Sequence, residues 1–114
     1  MGYVRHEAMI VSDWHAEDVY KAHEAASVIF NAIGMGSMVG GVVRHAINGG
    51  AAFFIAPDGS KEGWGHSDDG DKARKELIAC LKELSVDWVL VLLGGDDGEY
   101  RVLQSTADHS VAES

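Results

Sequence analysis

Residues 38–56 read MVGGVVRHAINGGAAFFIA, and this stretch decides the fold. Asn48 and Gly49 lie between two segments that are rich in β-forming residues. The Asn-Gly pair is the strongest short signal for a β-hairpin, because both residues accept the positive φ that a tight turn requires. The stretch therefore predicts two antiparallel strands, over residues 38–47 and 51–56.

Two helical patterns flank the hairpin. Over residues 14–33, apolar side chains recur at spacings of three and four, which is typical of a helix with one buried stripe. Gly34 or Gly36 then follows as a helix stop. Residues 71–84 have the same period, and the predicted buried face of this second helix comprises Ala73, Leu77, Cys80, Leu81 and Leu84.

Three further segments have the pattern of strands, residues 3–12, 87–93 and 100–104. With the hairpin and the helices, they give the order β-α-β-β-α-β and an extra C-terminal strand. This order predicts an α+β fold of the ferredoxin-like kind, a two-layer sandwich in which both helices cover one face of an antiparallel sheet. We expect a single domain over residues 1–105 and a frayed polar tail over residues 106–114.

Composition and charge exclude several classes of protein. Of the 114 residues, 46% are hydrophobic and 24% are charged, which excludes a disordered polyelectrolyte. The 18 acidic and 9 basic residues give a net charge of −9, which opposes direct binding of DNA, RNA or an anionic membrane. The longest apolar run, residues 88–93, is far shorter than the roughly 20 residues of a membrane span. The single cysteine, Cys80, excludes an internal disulfide framework and indicates a reducing, cytoplasmic setting.

The second face of the predicted sheet carries apolar residues as well. Residues 51–55 and 88–93 are apolar at consecutive positions, so both faces of these strands are apolar. A two-layer fold covers only one of those faces, and a large exposed apolar patch is unusual on a monomer. We therefore predict a homo-oligomer that is built partly through the sheet. The alternative is that these strands are central and tolerate apolar residues without association.

Residues 56–69 read APDGSKEGWGHSDD, and they connect a predicted strand to a predicted helix. The glycines let the backbone come close to a ligand, and the following helix N-terminus adds backbone donors for an anion. The predicted ligand-binding residues are Ser60 and Lys61 as donors, Trp64 as a stacking ring and His66 as a group that changes charge, with Arg44 and His45 from the hairpin. The alternative is a structured loop in which Trp64 fills the core and Lys61 is solvated.

The sequence gives no set of catalytic or metal-binding residues. A Gly-x-Ser-x-Gly nucleophile motif and a phosphate-binding Gly-Lys-Ser/Thr motif are both absent. A metal site would have to gather ligands from separate elements, for example His6, His45 and Asp13. We therefore expect no catalytic residue, no metal and no cofactor, so an enzyme is the less favoured class.

Four segments resemble a family of short, uncharacterised bacteriophage-encoded proteins. They are APDGSKEGW at residues 56–64, KAHEAA at residues 21–26, VDWV at residues 86–89 and the Asn-Gly turn before Phe53-Phe54. The resemblance covers about residues 3–95 and carries no catalytic residue with it. It implies a counter-defence setting, in which some small phage proteins inhibit host proteins and others sequester nucleotide immune signals.

These observations give one leading hypothesis for function and two others. The leading hypothesis is a non-enzymatic protein of the host bacterial cytosol that sequesters a small anionic ligand, with an immune-signalling nucleotide as one candidate. The alternative is an acidic inhibitor that uses its charge to occupy the basic surface of a host nucleic-acid-binding or defence protein. A hydrolase of the same class of nucleotide is the third.

Overall fold

The computed structural model describes residues 3–4, 7–57, 61–62, 65–94 and 99–106. Over these residues the protein has an α+β fold with two α-helices, a five-stranded antiparallel sheet and a separate two-stranded pair. The elements in chain order are β1 (Tyr3–Val4), β2 (Glu7–Asp13), α1 (Ala16–Asn31), β3 (Val43–Arg44), β4 (Ala51–Ile55), β5 (Lys61–Glu62), α2 (Gly65–Leu84), β6 (Asp87–Gly94) and β7 (Glu99–Ser105).

The strand order in the main sheet is β3-β4-β2-β6-β7, so β2 is central. Val11 of β2 lies opposite Phe53 of β4 and Trp88 of β6. Side chains opposite one another in antiparallel strands share a face, and successive side chains alternate between faces. Met9 and Val11 therefore lie on one face of the sheet, and Ile10 lies on the other.

The core lies between the first of these faces and the two helices. Met9, Val11, Phe30 of α1 and Leu77 of α2 are each at most 1% exposed. All four belong to one cluster of buried apolar residues that joins both helices to β2, β4 and β6. Burial of a side chain of this size stabilises the fold by about 1.5–3 kcal/mol, so this cluster is the main source of stability.

The turn chemistry predicted from the sequence is confirmed at two places. Asn48 and Gly49 have φ values of 72° and 71°, as the tight turn between β3 and β4 requires. Gly34 follows α1 with φ of 75°, the left-handed conformation of a glycine helix stop.

Several element boundaries differ from the sequence-based prediction. Residues 3–12 do not form one strand, because β1 pairs with β5 and only β2 joins the main sheet. The strand predicted over residues 38–47 is reduced to β3, and a 3₁₀ turn occupies Gly36–Met38. Gly40 and Gly41 interrupt the strand before β3, because glycine weakens the interior of a strand, and residues 46–49 after β3 form the turn. Gly40 still donates a hydrogen bond to the carbonyl oxygen of Phe54, at 2.8 Å.

The second helix is longer than its periodicity predicts. It begins at Gly65 instead of residue 71, so the predicted loop over residues 58–67 ends within α2. Asp68 lies in the first turn, where a carboxylate stabilises the positive end of the helix dipole. Neither helix has a stretch that is long and apolar enough to cross a membrane, over the described residues.

Candidate functional site

Polar side chains converge at the carboxyl end of the central strand. Asp13 is the last residue of β2, His15 directly precedes α1, and Asp18 lies in the first turn of α1. One ligand atom from each of these three side chains lies within 4.8 Å of the other two. We call these three residues the Asp13 cluster.

The Asp13 carboxylate fixes the chain between β2 and α1. Its Oδ2 accepts a hydrogen bond from the backbone N–H of His15 at 3.0 Å and lies 3.0 Å from the His15 Nδ1. The Asp13 side chain is 10% exposed, whereas that of His15 is 78% exposed. The cluster thus has a buried carboxylate on its inner side and an open imidazole on its outer side.

The β3–β4 hairpin packs against the same end of β2. The Nε2 of His45 lies 3.3 Å from the Ser12 hydroxyl oxygen, and the His45 backbone N–H donates to the Gly50 carbonyl at 2.8 Å. A Cβ added at Gly50 would lie 2.5 Å from the Asp13 carbonyl oxygen and would also overlap the His45 ring. This close approach requires glycine and brings the His45 ring and the Asp13 carbonyl next to the same backbone position.

A cleft of about 580 Å³ opens between the start of α1 and the hairpin. Its lining residues are His15, Ala16, Glu17, Asp18, Tyr20, Arg44 and Gly49, and we call it the α1–hairpin cleft. Tyr20 is 46% exposed, so one face of its ring is open to a ligand. The cleft therefore combines a guanidinium group, an aromatic ring, an imidazole and two carboxylates.

The structure separates the residues that the sequence assigned to one ligand site. Arg44 lines the α1–hairpin cleft, and His45 is next to it, at the carboxyl end of β2. The backbone of Lys61 pairs with Val4, before the amino end of β2. A strand of seven residues is about 20 Å long, so Lys61 and Arg44 flank different ends of it.

The other predicted ligand-binding residues cannot be located in the same detail. Ser60 and Trp64 lie outside the described residues. His66 lies in the first turn of α2, and its side chain, like that of Lys61, is outside what the structure describes. The predicted role of this loop therefore stays a prediction.

A second concave region lies on the sheet face that the helices leave open. It is a shallow groove of about 540 Å³, lined by Ile10, Ser12, Asp87, Trp88, Val89, Val102, Ser105 and Thr106. Among the residues whose side chains are described, the strand register places eight apolar side chains on this open face, namely Ala8, Ile10, Val43, Ala52, Phe54, Val89, Val91 and Val102. Phe54 is 43% exposed and lies directly opposite Ile10, which is 42% exposed.

A buried arginine is a polar feature that the sequence analysis missed. Arg74 of α2 is 9% exposed, and its Nη2 donates to the Asp71 carboxylate at 2.5 Å. Its Nε lies 3.8 Å from a Glu7 carboxylate oxygen and has no hydrogen-bond partner within the described part of the chain. Arg74 is one position after Ala73 and three before Leu77, so its place on the buried stripe was visible in the sequence.

The sequence analysis also missed His15, Asp18 and Tyr20. The available signal was the spacing Asp13-x-His15-x-x-Asp18, which crosses from a strand into a helix and follows neither period. Comparison of the chain with protein-family models, with curated proteins and with solved structures found no match.

Proposed function

We propose that the protein binds a small anionic ligand of nucleotide size and holds it without converting it. The observation that supports this proposal is that Arg44 and the exposed ring of Tyr20 line one cleft of about 580 Å³. Small-molecule sites typically have volumes of about 300–1,000 Å³, so the cleft accommodates one such ligand.

Each group in the α1–hairpin cleft suits one part of a nucleotide. The guanidinium group of Arg44 matches a phosphate, to which it can donate two parallel hydrogen bonds. The ring of Tyr20 offers a flat apolar surface for a base. The carboxylates of Glu17 and Asp18 accept hydrogen bonds from hydroxyl or amino groups, but they oppose a bare anion. A ligand with neutral donors beside its phosphate therefore fits better than inorganic phosphate.

We propose that a separate stretch of the chain also binds an anion, through Ser60, Lys61, Trp64 and His66. The pairing of β5 with β1 supports treating them apart from Arg44, because the backbone of Lys61 lies beside Val4. The two sets of residues are therefore tested with separate variants.

The biological role that we propose is sequestration of an immune-signalling nucleotide in the cytosol of a phage-infected bacterium. The phage setting is part of this proposal, and it is taken from the sequence motifs quoted in the sequence analysis. The alternative is an acidic inhibitor of a host protein, and the exposed carboxylates of Asp68, Asp69 and Glu76 along α2 favour it. A complex formed by that surface would weaken steeply with added salt.

We also propose that the α+β fold is ferredoxin-like. The order β3-β4-β2-β6 supports this, because β4 lies between the two strands that α1 connects. In the same way, β2 lies between β4 and β6, the main-sheet strands that precede and follow α2, while the short β5 is outside the main sheet. Both are split β-α-β units.

We propose further that two copies associate through the open face. Among its described side chains, the register places a single charged residue, Asp87, on this face. Other surfaces of a chain with a net charge of −9 repel a second copy more strongly than an apolar face that carries one charged residue. Two such faces pack as the sheets of a sandwich do, with interdigitating side chains.

Calorimetric titration with a panel of linear and cyclic nucleotides tests the binding proposal. We expect saturable binding of at least one member, which Arg44→Ala and Tyr20→Ala weaken at least tenfold. Lys21→Ala is the matched control, because Lys21 is an exposed cation on α1 outside the cleft. Chromatography of the recovered ligand separates binding from hydrolysis. Absence of binding across the panel, or equal loss in the control, would overturn the proposal.

A further inference from the structure

A cavity of about 250 Å³ lies between α2 and the strands β6 and β7, and it shares no lining residue with the α1–hairpin cleft. Its buried apolar lining consists of Ile78 of α2 and Leu90 of β6, which are 7% and 8% exposed. Gln104 of β7 lies opposite Leu90 in the strand register, so its side chain is on the same face and lines the same space. We call this space the Arg74 cavity, because Arg74 forms part of its wall.

Arg74 brings a buried donor group with an incomplete set of partners to this cavity. Its side chain is 10% exposed, and its Nη2 donates to the Asp71 carboxylate. Its Nε lies 3.8 Å from a Glu7 carboxylate oxygen, which is beyond hydrogen-bond distance, and has no hydrogen-bond partner within the described part of the chain. A guanidinium group has five N–H donors, and a buried donor without a partner costs free energy. An acceptor atom of a ligand in the cavity can therefore receive hydrogen bonds from this group.

The charged groups around the cavity favour a ligand without net charge. Arg74 and Lys75 contribute two cations, and Glu7 and Asp71 contribute two carboxylates. An added anion would lie near both carboxylates, and an added ammonium group would lie near both cations, so each would be repelled by like charge. An uncharged group that accepts from the guanidinium and donates to a carboxylate avoids both kinds of repulsion, since a carboxylate can accept several hydrogen bonds at once.

A primary carboxamide on a flat apolar ring combines the required properties. Its carbonyl oxygen is an acceptor, and its NH₂ group supplies two donors. The ring covers the apolar surface of Ile78 and Leu90. The cavity is smaller than the sites of about 300–1,000 Å³ that hold drug-sized molecules, so a single ring with one polar group is the size that fits.

We propose that the Arg74 cavity is a second ligand site, which binds a small uncharged carboxamide. The guanidinium group of Arg74 donates to the carbonyl oxygen of the ligand, and the carboxamide NH₂ group donates to Glu7. This site goes beyond the proposed nucleotide binding and does not depend on it, because the two cavities are lined by different residues.

Three probes that share one aromatic ring test the class of ligand. Benzamide, benzoate and benzylammonium differ in their polar group, which is neutral, anionic and cationic in turn. Each is titrated into the labelled full-length protein, and binding is followed by nuclear magnetic resonance. We expect saturable binding of benzamide that shifts the Nε–H signal of Arg74, with affinity about tenfold higher than that of either charged probe, because only benzamide avoids repulsion by like charge.

Two variants and a control locate the site. Arg74→Lys keeps a cation but removes the planar donor group, so it should weaken benzamide binding about tenfold. Gln104→Phe introduces a larger side chain at a partly exposed position of β7, where aromatic residues are favoured, and should abolish binding by filling the cavity. Lys72→Ala removes an exposed cation of α2 outside the cavity and should bind within about twofold of the wild type.

Three results would overturn this second site. They are no saturable binding of benzamide, tighter binding of benzoate or benzylammonium, and unchanged benzamide affinity in Gln104→Phe. Circular dichroism shows whether each variant is folded, and Gln104→Phe decides the question if Arg74→Lys does not fold. Arg44→Ala separates the two sites, because it should weaken nucleotide binding and leave benzamide affinity unchanged. Loss of benzamide binding in Arg44→Ala would place the probe in the α1–hairpin cleft and contradict the proposal.

Discussion

The Oδ2 of Asp13 lies 3.0 Å from both the backbone nitrogen and the Nδ1 of His15. This single oxygen therefore holds the connection between the central strand and α1. We expect Asp13→Ala to lower the free energy of unfolding by about 1–2 kcal/mol, because it removes the acceptor of the His15 N–H. Asp13→Asn retains an acceptor oxygen, so it should lower the free energy of unfolding by less than half of that amount.

Urea unfolding measures both changes. Equal stability of Asp13→Ala and the wild type would show that the hydrogen bond to His15 does not hold this connection.

A second prediction concerns the close approach at Gly50. An added Cβ would lie 2.5 Å from the Asp13 carbonyl oxygen, which is backbone of the central strand and cannot yield easily. We expect Gly50→Ala to destabilise the protein by about 1–3 kcal/mol through overpacking, measured by urea unfolding. Gly41→Ala is the control, because a Cβ at that position meets nothing within 4 Å. Restriction of the unfolded chain by Gly→Ala is stabilising at an open position, so a loss of equal size in both variants would contradict the contact as the cause.

The hairpin and the helices were predictable because their signals are local. The φ values of Asn48 and Gly49 follow from their own chemistry, and α1 was predicted over 14–33 and observed over Ala16–Asn31. The strand before the hairpin is interrupted at Gly40 and Gly41. How strongly glycine weakens a strand depends on the neighbouring strand, which the local sequence does not reveal. The strand and helix periodicities could not predict the Asp13 cluster, because it forms only where β2 and α1 meet at one end of the sheet.

Arg74 was missed for a different reason. Helical periodicity placed it beside Ala73 and Leu77, but charge alone favours assigning such a residue to the solvated face. Its charge is compensated by Asp71, three positions away on the same helix, and by Glu7, which is 67 positions away in the sequence and reaches it only through the fold. Long-range charge compensation of this kind has no local signature.

The third prediction tests this buried ion pair. Arg74→Met retains a long apolar side chain and removes the guanidinium group. Glu7, whose side chain is 12% exposed, then loses the cation beside it. We expect a loss of about 2–4 kcal/mol in the free energy of unfolding, because the substitution removes the cation that interacts with both Glu7 and Asp71. The double variant Arg74→Met with Glu7→Gln should recover at least half of the loss. Additive effects in this cycle would contradict an interaction between the two side chains.

The fourth prediction concerns the open face. Phe54 is 43% exposed and opposite Ile10, at the middle of the apolar surface through which we propose that two copies associate. Phe54→Asp places a charge at that position, and a desolvated unpaired charge opposes association strongly. We therefore expect sedimentation velocity to show a dimer for the wild type and a monomer for Phe54→Asp at the same concentration.

Val28→Asp is the matched control for this change. Val28 is 65% exposed on α1, so its substitution adds the same charge to the helix layer and leaves the open face intact. It should sediment as the wild type does. At concentrations where each protein is monomeric, the free energy of unfolding of both variants should be within about 0.5 kcal/mol of that of the wild type, as is general for exposed substitutions. A monomeric wild type, or a dimer that survives Phe54→Asp, would show that this face does not join two copies. Capture of a host protein by the wild type alone would then assign the face to a different partner.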